Sequence, residues 1–157
     1  MATFTVQPEY GYVLLAATST FFIGFWHGGR CGFFRKACMP LSNYPAPYAD
    51  SAMLASASED ATLKKNLYLW NCAQRAHGNY NENQPSVVAA MLIAGLKYPV
   101  ASAVCGAAWG LGRIAYAVGY TRADKEGGRG RLIAMPMWLF QMVLFGMSGA
   151  VGVGLLM

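Results

Sequence analysis

Arg75, Asn79 and Glu82 sit in the run Arg75-Ala76-His77-Gly78-Asn79-Tyr80-Asn81-Glu82, and Arg113, Tyr116 and Tyr120 sit in Arg113-Ile114-Ala115-Tyr116-Ala117-Val118-Gly119-Tyr120. At about 100° per residue, each set falls on one face of a helix, its members within about 60° of one another. An arginine fork takes a carboxylate, a glutamate accepts from an ammonium, and an amide with phenol hydroxyls reads peptide groups. Two such faces across a common cleft suit a zwitterionic, hydrogen-bonding ligand. The plainer alternative is that Arg75 and Glu82 neutralise each other and fasten helices together. Ionisable groups inside apolar runs usually have a function, and the second polar face together with the basic stretch after it favours a site. His77 reads more readily as a hydrogen-bonding neighbour than as a metal ligand, and no metal is expected. His27, beside Phe25-Trp26, reads as part of an aromatic belt at a membrane surface.

The elements that must hold these residues are apolar. Of the 157 residues, 55% are hydrophobic and 12% charged, against about a quarter charged in a soluble domain. A helix needs about 20 residues to cross the hydrocarbon core, and four segments approach that length. The runs 10–34 and 132–157 are the clearest spans. A third, 87–96, is short unless extended back through Asn66–Trp70, in which case Pro85 should kink it. Residues 100–120 supply the remaining segment. These lengths exclude strands. The expected architecture is therefore an all-α integral membrane protein, one domain over 1–157. Its four transmembrane helices lie near 8–36, 62–97, 99–121 and 130–157.

Arg35, Lys36, Lys64, Lys65, Arg122, Lys125, Arg129 and Arg131 fall in the first and third loops, with Lys97 alone in the second. The positive-inside rule turns both basic loops to the cytoplasm. The net charge of +5 is thereby explained without a nucleic-acid partner, attraction to anionic lipid being secondary. Glu9, and no basic residue, precedes the first apolar run, so this run is expected to remain as a helix rather than a cleaved signal. Cys31, Cys38, Cys72 and Cys105 form no metal-type spacing and read as reduced, small hydrophobes. Ser42–Asp60, with Tyr44-Pro45-Ala46-Pro47-Tyr48, reads as a mobile loop.

Asn71-Cys72-Ala73-Gln74-Arg75-Ala76-His77-Gly78-Asn79, with Glu82 and Pro85, resembles the second-helix signature of the MAPEG family, closest to its microsomal glutathione S-transferase 3 branch. Glu9-Tyr10-Gly11-Tyr12-Val13-Leu14-Leu15 and the run Gly112–Tyr120 extend the resemblance over most of the chain. It implies a left-handed four-helix bundle assembled as a homotrimer in the endoplasmic reticulum membrane, with the outer mitochondrial membrane as the other location. Glutathione, as co-substrate, would bind between subunits near the cytoplasmic side. The resemblance carries Arg75, His77, Asn79 and Glu82 over as glutathione contacts. Arg113, Tyr116 and Tyr120 follow from the third helix, and Arg35 from the end of the first. Gly24/Gly28 and Gly106/Gly110 are compatible with close helix contacts.

Active members of the family place an arginine just beyond the third helix to stabilise the glutathione thiolate, and Arg129 and Arg131 are the two candidates. The expected activity is a glutathione transferase or peroxidase acting on lipophilic electrophiles or lipid hydroperoxides. The rival is a non-catalytic, lipid-binding adaptor of the same fold, as in the five-lipoxygenase-activating branch. Asn83 stands where the leukotriene-synthase branch has a tyrosine, so that branch's substrate geometry does not carry over.

Overall fold

Two aspartates start helices in the first half of the chain. In the computed structural model, which describes residues 6–39, 41–42 and 46–157, Asp60 accepts from the backbone N–H groups of Thr62 and Leu63, both at 2.9 Å. Asp50 accepts from Met53 at 2.8 Å. Both are N-caps that satisfy otherwise orphaned donors. The helices are α1 (Tyr10–Lys36), the short α2 (Ser51–Ser56), α3 (Ala61–Gly95), α4 (Pro99–Tyr120) and α5 (Met137–Leu156), with a 3-10 segment at Glu126–Ala134. Pro99 opens α4, where its fixed φ suits the first turn. No strand occurs among the described residues.

The structure departs from the sequence reading in three places. The supposed mobile loop Ser42–Asp60 contains α2, because the Asp50 cap precedes a run of good helix formers. Tyr44 and Pro45 of that loop lie outside the described residues. The last long helix begins at Met137, not near 130: left-handed Gly127 (φ 61°) and Gly128 (φ 64°) put a kink into the 3-10 arc Glu126–Ala134, and Pro136 caps the helix that follows. His27 is not in a lipid-facing belt. It is buried and stacked on Tyr80 with ring centroids 4.8 Å apart.

α3 and α4 pack against each other, and both also touch α1 on one side and α5 on the other. Val13, Tyr80, Val87, Met91, Trp109, Met137 and Leu144 form the main core. Glycines let side chains of neighbouring helices rest on the backbone within it: a Cβ on Gly106 would strike Met91, one on Gly110 would meet Ile23, and one on Gly24 would press on Tyr80. Gly28 faces open space instead.

The distribution of polarity is that of a protein in lipid. Thr20, His27, Ser102, Arg113 and Gln141 are inside, while Phe21, Phe22, Phe25, Leu111 and Leu139 are exposed. Water would penalise so continuous an apolar exterior. Among the described residues, α5 is the one helix whose length and composition alone suffice to cross a bilayer. The first helix, expected to stand equally clear, is diluted by Thr, Ser, Gly, His and Arg. α3, with 35 residues, is roughly 50 Å long and outreaches a hydrocarbon core of about 30 Å.

Candidate functional site

The overhang of α3 sets the level of the site. Arg75 lies 20 residues before the helix end at Gly95, or about 30 Å along the axis, so it reaches the surface on which the basic loops lie. Glu82 is two turns deeper. On that face, Nη1 of Arg75 donates to Oε1 of Glu82 at 2.9 Å, and Nδ2 of Asn79 donates to Oε2 of the same carboxylate at 3.4 Å. The Arg75 and Glu82 side chains are 52% and 54% exposed. A pair so open contributes at most about 1 kcal/mol and makes poor structural glue. Its charges remain available to a ligand.

Behind this row stands Arg113 of α4. It is completely buried, donates from Nη1 to Oδ1 of Asn79 at 2.6 Å, and lies 4.9 Å from the ring centres of both Trp109 and Trp138. The other face of Asn79 is held through the backbone, its carbonyl accepting from Nδ2 of Asn83 at 2.8 Å. Asn83 in turn accepts from Gln141 of α5, which accepts from the Trp109 indole at 3.0 Å. Three helices thus fix one asparagine.

Tyr116 and Tyr120 pack edge to face, 5.4 Å between centroids. Tyr120 meets α3 across a cleft of about 240 Å³ lined by Tyr68, Asn71, Cys72, Arg75, Tyr120 and Gly127. Tyr68, Asn71 and Cys72 escaped the sequence reading. Steps of three and four residues back from Arg75 reach them, and this was the available signal. The 3-10 arc closes the cleft. Arg131 is half-buried, stacks on Tyr120 at 4.8 Å and donates to the Gly127 carbonyl at 2.8 Å, whereas Arg129 is exposed. In the same loop Arg122 clamps both oxygens of Asp124, at 3.0 and 2.7 Å. Hydrogen bonding to Arg122 holds that carboxyl below its usual range. Asp124 therefore answers Arg122 and leaves Arg131 to the cleft.

Two expected residues stand elsewhere. His77 points away from the row towards His27, 6.1 Å between ring centroids, with its Nε2 3.0 Å from the Asn81 amide. Arg35 forks onto the Ser42 carbonyl at 3.3 Å and lies 5.4 Å from the Trp70 ring. No group of three or more metal-binding side chains forms among the described residues, and the four cysteines are free.

The family model that fits this chain is that of the MAPEG family, over residues 13–150. The chain belongs to the MAPEG family. MAPEG proteins are embedded in membranes, and they include glutathione transferases and peroxidases as well as non-catalytic members. In this MAPEG chain Asn71, Cys72 and Arg75 of the second-helix signature and Tyr120 of the third-helix signature line one cleft.

Proposed function

We propose that the protein is a glutathione-dependent transferase or peroxidase of the microsomal glutathione S-transferase 3 type. The observation that carries the reading is the meeting of Arg75 and Tyr120 on one cleft at the basic end of the bundle, with Glu82 paired to Arg75 and Arg131 stacked on Tyr120. Arg75 offers a fork to a glutathione carboxylate, Glu82 accepts from its ammonium, and the phenols of Tyr116 and Tyr120 serve its peptide groups. Arg113 acts from behind, through Asn79. A homotrimer in the endoplasmic reticulum membrane would close the open side of the cleft with a neighbouring subunit, the place this reading gives to Arg35. His77 is left out of the contacts.

Arg131 is the residue we assign to the thiol. A thiol of pKa about 8.5 is mostly protonated at neutral pH, and a nearby guanidinium in a partly dry site favours the anion. The thiolate then displaces a leaving group or opens a strained ring at an electrophilic carbon, forming the S–C bond. With a lipid hydroperoxide it attacks the O–O bond instead, releasing an alcohol and a sulfenic acid that a second glutathione reduces to disulfide and water.

One observation favours the non-catalytic alternative. An apolar groove of about 400 Å³ between α1 and α4, bordered by Tyr12, Leu15, Ser19, Val100 and Val104, would hold an acyl chain. Thiolate absorbance in the ultraviolet on adding glutathione to the detergent-purified protein separates the two. A signal lost in Arg131→Ala and kept in Arg129→Ala is the expected result. Glutathione binding without any thiolate signal would favour the adaptor, and no binding at all would end the glutathione reading.

A further inference from the structure

We propose that Arg30, with Phe25, Trp26, Gly29 and Phe33, forms a binding site for the phosphate of an anionic phospholipid from the leaflet on the basic side of the protein. Arg30 is six residues before the end of α1 at Lys36, about 9 Å inside it, in a helix with no other charge before Arg35. Its Nη2 donates to the hydroxyl of Thr121, at the end of α4, at 2.5 Å. Its guanidinium lies 5.0 Å from the Trp26 ring and 5.4 Å from Phe34. Those contacts hold the fork in place and leave Nε and Nη1 without a protein acceptor among the described residues.

What is missing is an anion. The ion pairs among the described residues are Arg75–Glu82 and Arg122–Asp124. A cation at this depth is costly unless paired or able to reach the headgroups. Within the four long helices a second copy would bring only Glu82, which stands on α3 beside Arg75. The lipid phosphate is the anion present at the right level, and basic positions on this side of a membrane are where anionic headgroups concentrate.

The shape agrees with the charge. A cleft of about 560 Å³ is bounded by Phe25, Trp26, Gly29, Arg30 and Phe33. Phe25 and Phe33 are 85% and 72% exposed, and the space above Gly29 is empty to 4 Å. Phosphate on Nε and Nη1 would leave the acyl chain running over Gly29 between the two phenylalanines. The inference is independent of the glutathione reading and rests on α1 lying in the bilayer.

Native mass spectrometry of the full-length, detergent-purified protein tests it, with phosphatidylglycerol, phosphatidylcholine of the same chains, and oleate as the probes. Both lipids bring the same phosphodiester to the fork, but choline cancels its net charge, so the wild type should retain phosphatidylglycerol about fivefold more tightly than phosphatidylcholine, the scale of one basic residue's attraction to a net anionic lipid. Arg30→Gln should abolish that preference. Gly29→Leu, whose side chain projects into the open cleft and away from the core, should lower retention of the lipid with the oligomer and thermal midpoint unchanged. The proposal is overturned by equal retention of the two phospholipids, or by a preference that survives both substitutions. Displacement of phosphatidylglycerol by equimolar oleate would also overturn it, since the site would then be one for a carboxylate amphiphile.

Discussion

Arg113 donates from Nη1 to the side-chain oxygen of Asn79 at 2.6 Å, and this one bond decides which way the Asn79 amide faces. With its oxygen turned to the interior, Asn79 must present Nδ2 outwards, to Glu82. A buried cation therefore sets the polarity of an exposed row without touching a ligand.

The two partners should respond unequally to removal. Asn79→Leu takes the one hydrogen-bond acceptor from a guanidinium that is fully buried, a loss of about 2–3 kcal/mol, and should lower the thermal midpoint. Arg113→Met removes the charge together with its need for a partner and leaves a flexible apolar chain between Trp109 and Trp138. Its stability should fall far less, while glutathione affinity drops by about tenfold because the amide is no longer oriented. Thermal denaturation in detergent and calorimetric titration with glutathione measure the two effects. Equal destabilisation by both substitutions would contradict the argument.

Arg131→Ala should change the pH dependence of the conjugation rate. The guanidinium favours the thiolate, so removing it raises the thiol pKa towards about 8.5. At pH 7 the rate should fall on the order of tenfold or more, and it should recover as the pH is raised. A rate lowered by the same factor at every pH would deny Arg131 that role.

The diglycine of the 3-10 arc supplies a matched pair of substitutions. Both residues have positive φ, but a Cβ at Gly127 meets nothing within 4 Å, whereas one at Gly128 lies 2.5 Å from the Tyr120 ring and 3.1 Å from Nη1 of Arg131. Gly127→Ala should cost about 1–2 kcal/mol from backbone conformation alone. Gly128→Ala should do this and also dislodge Arg131, so that activity falls much further than stability. Thiolate absorbance read beside the thermal midpoint tells the two apart.

Asn71 exchanges two hydrogen bonds with the backbone of Ala49, at 2.8 and 2.9 Å, and Gln74 donates to the Pro47 carbonyl. Asn71→Ala should release this part of the first loop while leaving the second core of Cys38, Ala49, Ala57, Leu67 and Trp70 to hold the rest. Limited proteolysis should then cut near Pro47–Tyr48 several times faster than in the wild type. An unchanged digestion rate would mean that the apolar contacts alone secure the loop.

Periodicity made part of this arrangement legible. Apolar runs marked α1, α3 and α4 to within a residue or two, and the 3.6-residue repeat put Arg75, Asn79 and Glu82 on one face. Periodicity was silent where tertiary contact decides. Nothing local distinguishes Arg129 from Arg131; the packing of Tyr120 does. His27 looked like a belt residue because Phe25 and Trp26 flank it, but its own face of α1 turns inward onto Tyr80. Arg113 read as a ligand contact from spacing, and its complete burial between two tryptophans became visible only with α5 in place. The start of α5 was misread because a long charge-free run masks a turn set by two positive-φ glycines and Pro136.

Where α4 ends, main chain rests on main chain: a Cβ on Gly119 would collide with the Gly130 carbonyl, and one on Gly130 with that of Gly119. That contact works as a hard stop for the arm bearing Arg131. Residues inserted before it, between 122 and 126, have solvent to bulge into and leave the guanidinium where it was. An insertion after it, between 131 and 136, has to be absorbed by turning or sliding α5, whose Met137 packs on Gly112 of α4. Length variation among descendants of this gene should therefore be tolerated on one side of Gly130 and purged on the other.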